Sequence, residues 1–414
     1  MLRLFLSRIV RQGTLTVIQS NGNKMVLGAG KPHVAMRLAD ERAGWELLLD
    51  PDLKLGELYV AGRLTVENGD IGDLLDLLMR NLAQVKPSGL HKFARTLRRL
   101  LRRTVQFNPS RSAREHAKHH YDLSGELYDL FLDSDRQYSR AYFLSPRDSL
   151  EEAQQNKKRH IIGKLNLDST GLKVLDIGCG WGGSALDLAR DHGAEVLSVT
   201  LSDEQIGIAR MRTQQNGLQE RCRFELTDYR ALRGRYDRIV SVGMFEHIGI
   251  AYCAAFFAKV RELLSDDGAM LLHSICRSDA PGSTNPWIAK YIFPGGYAPA
   301  LSEVLQAIEA SALIVTDIEV LRLHYAYACH LWRKRFVANR GGARRIYDER
   351  FCRMWELYLA GAEIAFRHDG QAVFQIQLAK RQDAVPPTRD YMLDIERAMR
   401  SDATPLAARP LKLA

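Results

Sequence analysis

The chain has 414 residues, 46% of them apolar and 26% charged, enough to bury a large core and to divide into two or three domains. Lys and Arg number 58 against 49 Asp and Glu, and the resulting net charge of +9 favours an anionic partner, nucleic acid or an acidic membrane surface. The longest apolar runs, such as Ile250 to Ala258, are far shorter than the roughly 18 to 20 residues needed to cross a bilayer, so no spanning segment is expected.

In chain order, "MLRLFLSRIVRQG" has some of the outline of a signal peptide, but Arg3, Ser7 and Arg8 interrupt its apolar stretch and no small-residue cleavage site follows. It reads as a strand or helix of the mature protein, and the expected location is cytoplasmic. From Gly13 to about Asn81 short alternating strands are cut by turn signals, with "SNGN" as a hairpin cue. The expectation is a small α+β module over 1–83.

Residues 84–114, including "LHKFARTLRRLLRR", are dense in Lys and Arg with Leu and Phe interleaved. They read as a basic linker with a solvated face or as a membrane-surface segment, its apolar residues at the headgroup boundary and its arginines on anionic phosphates. Nucleic-acid binding is the third option, but no helix-turn-helix, RNA-binding sheet or zinc pattern supports it.

From about Gly171 apolar strand, glycine turn and amphipathic helix alternate, which predicts an α/β, doubly wound parallel sheet of Rossmann-like type within a catalytic domain over 115–385. Residues 276–325, rich in Trp, Tyr, Phe, Pro and Gly, read as an insertion over the active site, and 386–414 as a C-terminal tail. The six cysteines are scattered without C-x-x-C pairs, so free thiols are expected, with no metal site.

"VLDIGCGWGG", Val174 to Gly183, leaves a strand and opens a helix, so its glycines let the backbone pass close to a ligand. Asp176 stands before the turn, and the spacing of Gly178, Gly180 and Gly182 is that of S-adenosylmethionine methyltransferases. A nicotinamide cofactor fits less well, because the glycine turn lies near the middle of the chain. After the second strand Thr200 stands where many nucleotide-binding sheets carry a ribose-binding acid, followed by Leu201 and then Ser202 and Gln205, spaced as a capping box. These residues either cap a helix or touch the ribose or adenine. Asp228 and Tyr229 follow the third strand, where such folds hold adenine by a polar contact and a ring stack.

With the glycine turn, "GMFEHIG", "LLHSI", "WIAKYIFPGG" and "LHYAYACHLWRKRF" in order, the sequence resembles the cyclopropane-fatty-acyl-phospholipid synthases, relatives of the mycolic acid cyclopropane synthases, from the N-terminal module to about Arg381. The resemblance implies methylene transfer from S-adenosylmethionine to the cis double bond of an acyl chain in a membrane phospholipid. It also implies a lipid-docking role for the N-terminal module, peripheral attachment to a bilayer surface, and a homodimer. An alkene attacking a sulfonium methyl forms a carbocation that must be shielded from water and then lose a proton. The family holds a bicarbonate as base, and its ligands carry over to Glu246, His273, Tyr325 and the backbone at Ile275. A protonated Glu246, favoured by burial, would donate to that anion. Glu246 could instead cap a helix, His273 be a satisfied core histidine, and Tyr325 simple packing.

"DSDRQYSRAYFLS" resembles the loop that folds over the cofactor and contributes Tyr138 and Ser139. Arg140 stands where the family usually has cysteine; turned inward, it could bind the anion or block it. A second family cysteine falls at Ala362, which argues against a thiol nucleophile. The alternatives are a methyl- or methylene-branched product, a catalytically weak lipid-binding homologue, and methylation of a small soluble amine.

Overall fold

The computed structural model describes residues 1–84 and 123–401; all but Gln84 of the basic segment 84–114, the expected start of the catalytic domain at 115, and the chain beyond 401 lie outside them. The first sheet has the order β2-β1-β3-β4, formed by β1 (Gly13–Ile18), β2 (Lys24–Ala29), β3 (His33–Leu38) and β4 (Leu64–Asn68). β1 and β2 form the hairpin that "SNGN" predicts: the Gln19 amide donates to the Asn23 carbonyl and Gly22 takes a positive φ of 85°. Leu15, Val17, Val34 and Met36 turn inward onto Leu74 and Leu77 of the helix Ile71–Leu82, whose start is fixed by a capping box between Asp70 and Asp73. "GELYV", read as strand, is instead the last half of the helix Pro51–Val60, because Pro51 sets its first turn and Gly62 ends it at a positive φ of 74°.

The second sheet runs β10-β11-β9-β8-β5-β6-β7, from β5 (Lys173–Ile177), β6 (Glu195–Thr200), β7 (Cys222–Leu226), β8 (Tyr236–Val242), β9 (Leu264–Arg277), β10 (Ile314–Leu321) and β11 (Gln371–Ala379). β5 to β9 pair in parallel and β11 is antiparallel to both its neighbours. Chain order reverses between β5, flanked by β6 on one side, and β8 on the other, which opens a crevice at the carboxyl ends of these strands.

Two boundaries differ from expectation. Of the stretch read as an insertion over 276–325, the helix Leu301–Ala310 packs on the core and β10 is the edge strand of the sheet, so only the part between β9 and Ala300 stands apart as cover. The expected tail is folded as far as 401: the helix Asp390–Arg400 packs along the helix Leu150–Leu165, and its buried Glu396 meets His160 Nδ1 at 3.1 Å. The two sheets are joined through the cover segment. Trp287 lies so close to Gly56 that a Cβ there would come within 2.5 Å of its ring, while Lys290 and Tyr291 both donate to Glu57 at 2.8 Å. The ion pair of Arg333 with Asp70 at 2.6 Å and the hydrogen bond between His368 Nε2 and Asp76 at 2.7 Å pin the same module to the helices behind it.

Candidate active site

The crevice at the strand ends holds a cavity of about 170 Å³. Its wall includes Tyr138 and Ser139 from one side, Asp176, Gly178 and Gly180 from the first strand-to-helix turn, Thr200, Leu201, Ser202 and Gln205 from the second, and Asp228 and Tyr229 from the third. Gly178 has a φ of 90°, and a Cβ there would meet Met244 at 2.7 Å; at Gly180 a Cβ would meet nothing within 4 Å, so this residue offers the open approach to a ligand. Gly182 stands outside the cavity wall. A Cβ on it would strike Phe224 at 2.8 Å, so it serves helix-to-strand packing.

Polar groups on the wall are partly prepared. Asp176 is buried with only the Ser198 hydroxyl near, at 3.4 Å, and burial raises its carboxyl to about 7. Ser202 accepts from the Gln205 amide at 3.3 Å, but the reciprocal half of the expected capping box is missing: the Gln205 side chain instead accepts from the Thr200 hydroxyl at 3.0 Å. Asp228 is engaged by its neighbour, accepting from Arg230 Nε at 2.9 Å and Nη2 at 2.6 Å. Tyr229 stands edge-on to Phe256, and burial raises its hydroxyl.

Beside the cavity lies a second, buried cluster. The main chain passes from Ser139 on the cavity wall to Arg140, whose guanidinium turns inward and donates to Glu246 Oε1. Both side chains are 4% exposed. The Ile275 amide also donates to Oε1, at 2.6 Å. Two donors thus meet on Oε1, so the Arg140 Nη2 group is not free for an added anion. Nor is the Ile275 amide available to another anion. Arg140 also lies over the Tyr325 ring, 5.1 Å from its centre, and a Cβ on the cavity-lining Gly243 would be 3.3 Å from Arg140.

His273, at the end of β9 and fully buried, receives the Gln375 amide nitrogen at Nδ1 over 3.0 Å, which leaves the ring proton on Nε2. Burial first, then the charges of Arg140 and Lys157, hold it far below the usual histidine range, so it is neutral. Tyr325 is also buried, its hydroxyl raised well above the ordinary range by burial. Tyr358, packed against the same aromatic cluster, shares a hydrogen bond with the Tyr138 hydroxyl at 3.0 Å. Buried polar atoms here with no partner among the described residues include Arg140 Nε, Glu246 Oε2, His273 Nε2 and Gln375 Oε1.

The sequence reading missed Lys157, Gln154, Tyr358 and Gln375. "AVFQIQLA" did carry a signal, since Gln375 and Gln377 alternate on one face of an otherwise apolar strand.

A doubly wound sheet with a glycine turn under a cavity at its switch point defines an S-adenosylmethionine-dependent methyltransferase. The description "Mycolic acid cyclopropane synthetase" belongs to the family model that matches residues 108–376. A probable fatty acid methyltransferase of Pseudomonas putida is 35% identical over 378 residues, 87% of this chain and 90% of its own length. The cyclopropane-fatty-acyl-phospholipid synthase of Escherichia coli K12 is 36% identical over 81% of this chain and 85% of its own. Among solved structures, the cyclopropane synthase MmaA2 of Mycobacterium tuberculosis superposes with a TM-score of 0.62 at 32% identity, over 66% of this chain and 99% of that one. The chain belongs to the mycolic acid cyclopropane synthetase family.

Proposed function

We propose that this enzyme moves a one-carbon unit from S-adenosylmethionine to the cis double bond of an unsaturated acyl chain in a membrane phospholipid, and closes a cyclopropane ring. The relatives named as cyclopropane synthases support the reaction class. A related structure was solved with S-adenosylhomocysteine and the long-chain cation CTAB, which supports a site taking a cofactor beside an alkyl chain. In the reaction the alkene carbon bonds the sulfonium methyl, the sulfur–methyl bond breaks to release S-adenosylhomocysteine, and the adjacent carbon becomes cationic. Loss of a proton from the transferred methyl then closes the ring.

The observation that carries the reading is that Arg140 Nε, Glu246 Oε2 and His273 Nε2 are all buried without a partner among the described residues, next to the cofactor cavity. Two donors and one acceptor match a bicarbonate ion, which has oxygens to accept and one hydroxyl to donate. Bound there, bicarbonate would supply the base that takes the proton. Arg140 would anchor it, neutral His273 would donate from Nε2, and Glu246 would orient its hydroxyl. Tyr325 and its aromatic neighbours keep water out and present ring faces that tolerate a cation.

Docking to an anionic bilayer fits the N-terminal module. The helix Leu2–Ile9 exposes Leu4 beside Arg8, and the helix Glu41–Leu49 exposes Arg42, Trp45 and Leu49 along one stripe. No helix among the described residues is long and apolar enough to cross a membrane, so attachment would be peripheral, at the cytoplasmic face, by a chain we take to be dimeric.

Incubation with vesicles of unsaturated anionic phospholipid and S-adenosylmethionine tests the proposal. Cyclopropane signals in the NMR spectrum of the acyl chains are expected. A methyl- or methylene-branched chain would instead favour a branching C-methyltransferase, the reading supported by the Pseudomonas relative's name. No S-adenosylhomocysteine above background would identify a lipid-binding homologue.

A further inference from the structure

The strap Asp133–Arg140 serves both halves of the site. Gln137, Tyr138 and Ser139 line the cofactor cavity, and Arg140 completes the buried cluster with Glu246. What fixes the strap comes from beneath, from the helix Leu150–Leu165. Gln154 Nε2 donates to the carbonyls of Gln137 and Ser139 at 3.0 and 2.8 Å. One helical turn later Lys157, 1% exposed, donates from Nζ to Ser139 Oγ at 2.8 Å and to the Gln137 side-chain oxygen.

We infer that Lys157 is a positioning residue for the methyl donor: its amino group, buried under the strap, sets where Ser139 meets the cofactor and where Arg140 meets Glu246. A fully buried lysine is costly unless its donors are used, and here both known acceptors belong to the cavity wall. The surrounding charges are Asp133, Asp135, Lys158 and Arg140. Burial first of all pulls Lys157 down to about 7, and the acidic neighbours only partly offset it. A cationic Lys157 repels the sulfonium of S-adenosylmethionine, whereas the neutral amine still donates to the strap. Affinity for S-adenosylmethionine therefore falls below neutral pH, and affinity for S-adenosylhomocysteine, which lacks the sulfonium charge, falls less.

The inference rests on the cavity being the S-adenosylmethionine site, and calorimetric titration of the full chain separates the two. If the wild-type protein binds neither S-adenosylmethionine nor S-adenosylhomocysteine, the cavity assignment fails. If it binds, Lys157→Met is expected to weaken S-adenosylmethionine about tenfold, the size of one lost hydrogen bond. Ser139→Ala added to Lys157→Met should then cost less than about a further twofold, because the contact is already gone. The pH dependence of affinity between 6 and 9, compared with that of Lys157→Met, should flatten in the variant. Wild-type affinity in Lys157→Met, or losses that multiply, overturns the inference. Should Lys157→Met fail to fold, Ser139→Ala alone must displace the midpoint of the wild-type pH profile; an unmoved midpoint overturns it equally.

Discussion

Arg140 and Glu246 form an ion pair sealed from solvent in the cluster that adjoins the cofactor cavity, and Glu246 keeps one oxygen free of any partner among the described residues. Breaking such a pair by removing one member leaves a buried charge uncompensated, at a cost of about 3 to 5 kcal/mol. Arg140→Met should therefore destabilise the fold by that order. Arg140→Met combined with Glu246→Gln should recover part of the loss. Urea unfolding of the two single variants and the double variant checks this, and additive losses would show that the two side chains act independently.

Glu246→Gln keeps the shape of the side chain but puts a donor or a neutral oxygen where Arg140 and the Ile275 amide now meet a carboxylate. Turnover on vesicles should drop at least tenfold while S-adenosylhomocysteine affinity stays within about twofold, because Glu246 is not on the cavity wall. Turnover at the wild-type level would remove Glu246 from the chemistry.

Asp176 is held at about 7 by burial, well above its unfolded value. The folded chain then binds more protons than the unfolded chain between roughly pH 4 and 7, so this group's contribution to stability is present at low pH and lost as pH rises through 7. Asp176→Asn removes the buried charge. Its melting temperature relative to wild type should be higher at pH 8 than at pH 5, with weaker cofactor binding at both. An equal difference at the two pH values would contradict the assignment.

His160 is also raised, but for a different reason. Burial lowers it, but hydrogen bonds to Glu319, at 2.8 Å, and Glu396 outweigh burial and raise it above its ordinary value. A raised histidine stabilises fully below pH 6.5 and loses that contribution as pH climbs through its folded value. His160→Gln should flatten the fall in melting temperature above neutral pH. Hydrogen exchange should also show the helix Asp390–Arg400 opening more readily, since Glu396 loses its tie to the helix Leu150–Leu165 and keeps Arg400 of its own helix.

If the exposed stripe of the helix Glu41–Leu49 meets lipid, Trp45→Ala with Leu49→Ala should weaken sedimentation with anionic vesicles about tenfold or more while leaving the melting temperature within a degree or two, because both side chains are exposed. Unchanged sedimentation would send the search for the docking surface elsewhere.

The parts of the site readable from the chain were those built by local geometry. Glycines at a strand-to-helix turn, the polar residues after each parallel strand, and the carboxylate after β8 all follow from strand order and spacing. The parts that stayed hidden depend on partners far away in sequence. "NKKRHIIGK" looks like a solvated helix face, yet Lys157, Lys158, His160 and Lys164 all point inward, because Ser139, Asp187, Glu319 and Glu396 come to meet them. The role of Arg140 was undecidable for the same reason: only the fold reveals that Glu246 waits opposite. The helix Asp390–Arg400 was taken for a tail because its few apolar positions find their cover on the helix Leu150–Leu165, more than 200 residues upstream.

Trp287, wedged against Gly56, makes the small sheet and the catalytic sheet share one wall. Phe293, at the end of the same cover segment, stands edge-on to His247 on the cavity at 4.4 Å. The cover segment thus touches the outer module through Trp287 and the reaction chamber through Phe293. Swapping that module between relatives is therefore a graft of the chamber's roof as well as of the outer surface, and a chimera that leaves out residues 286–296 inherits a mismatched lid.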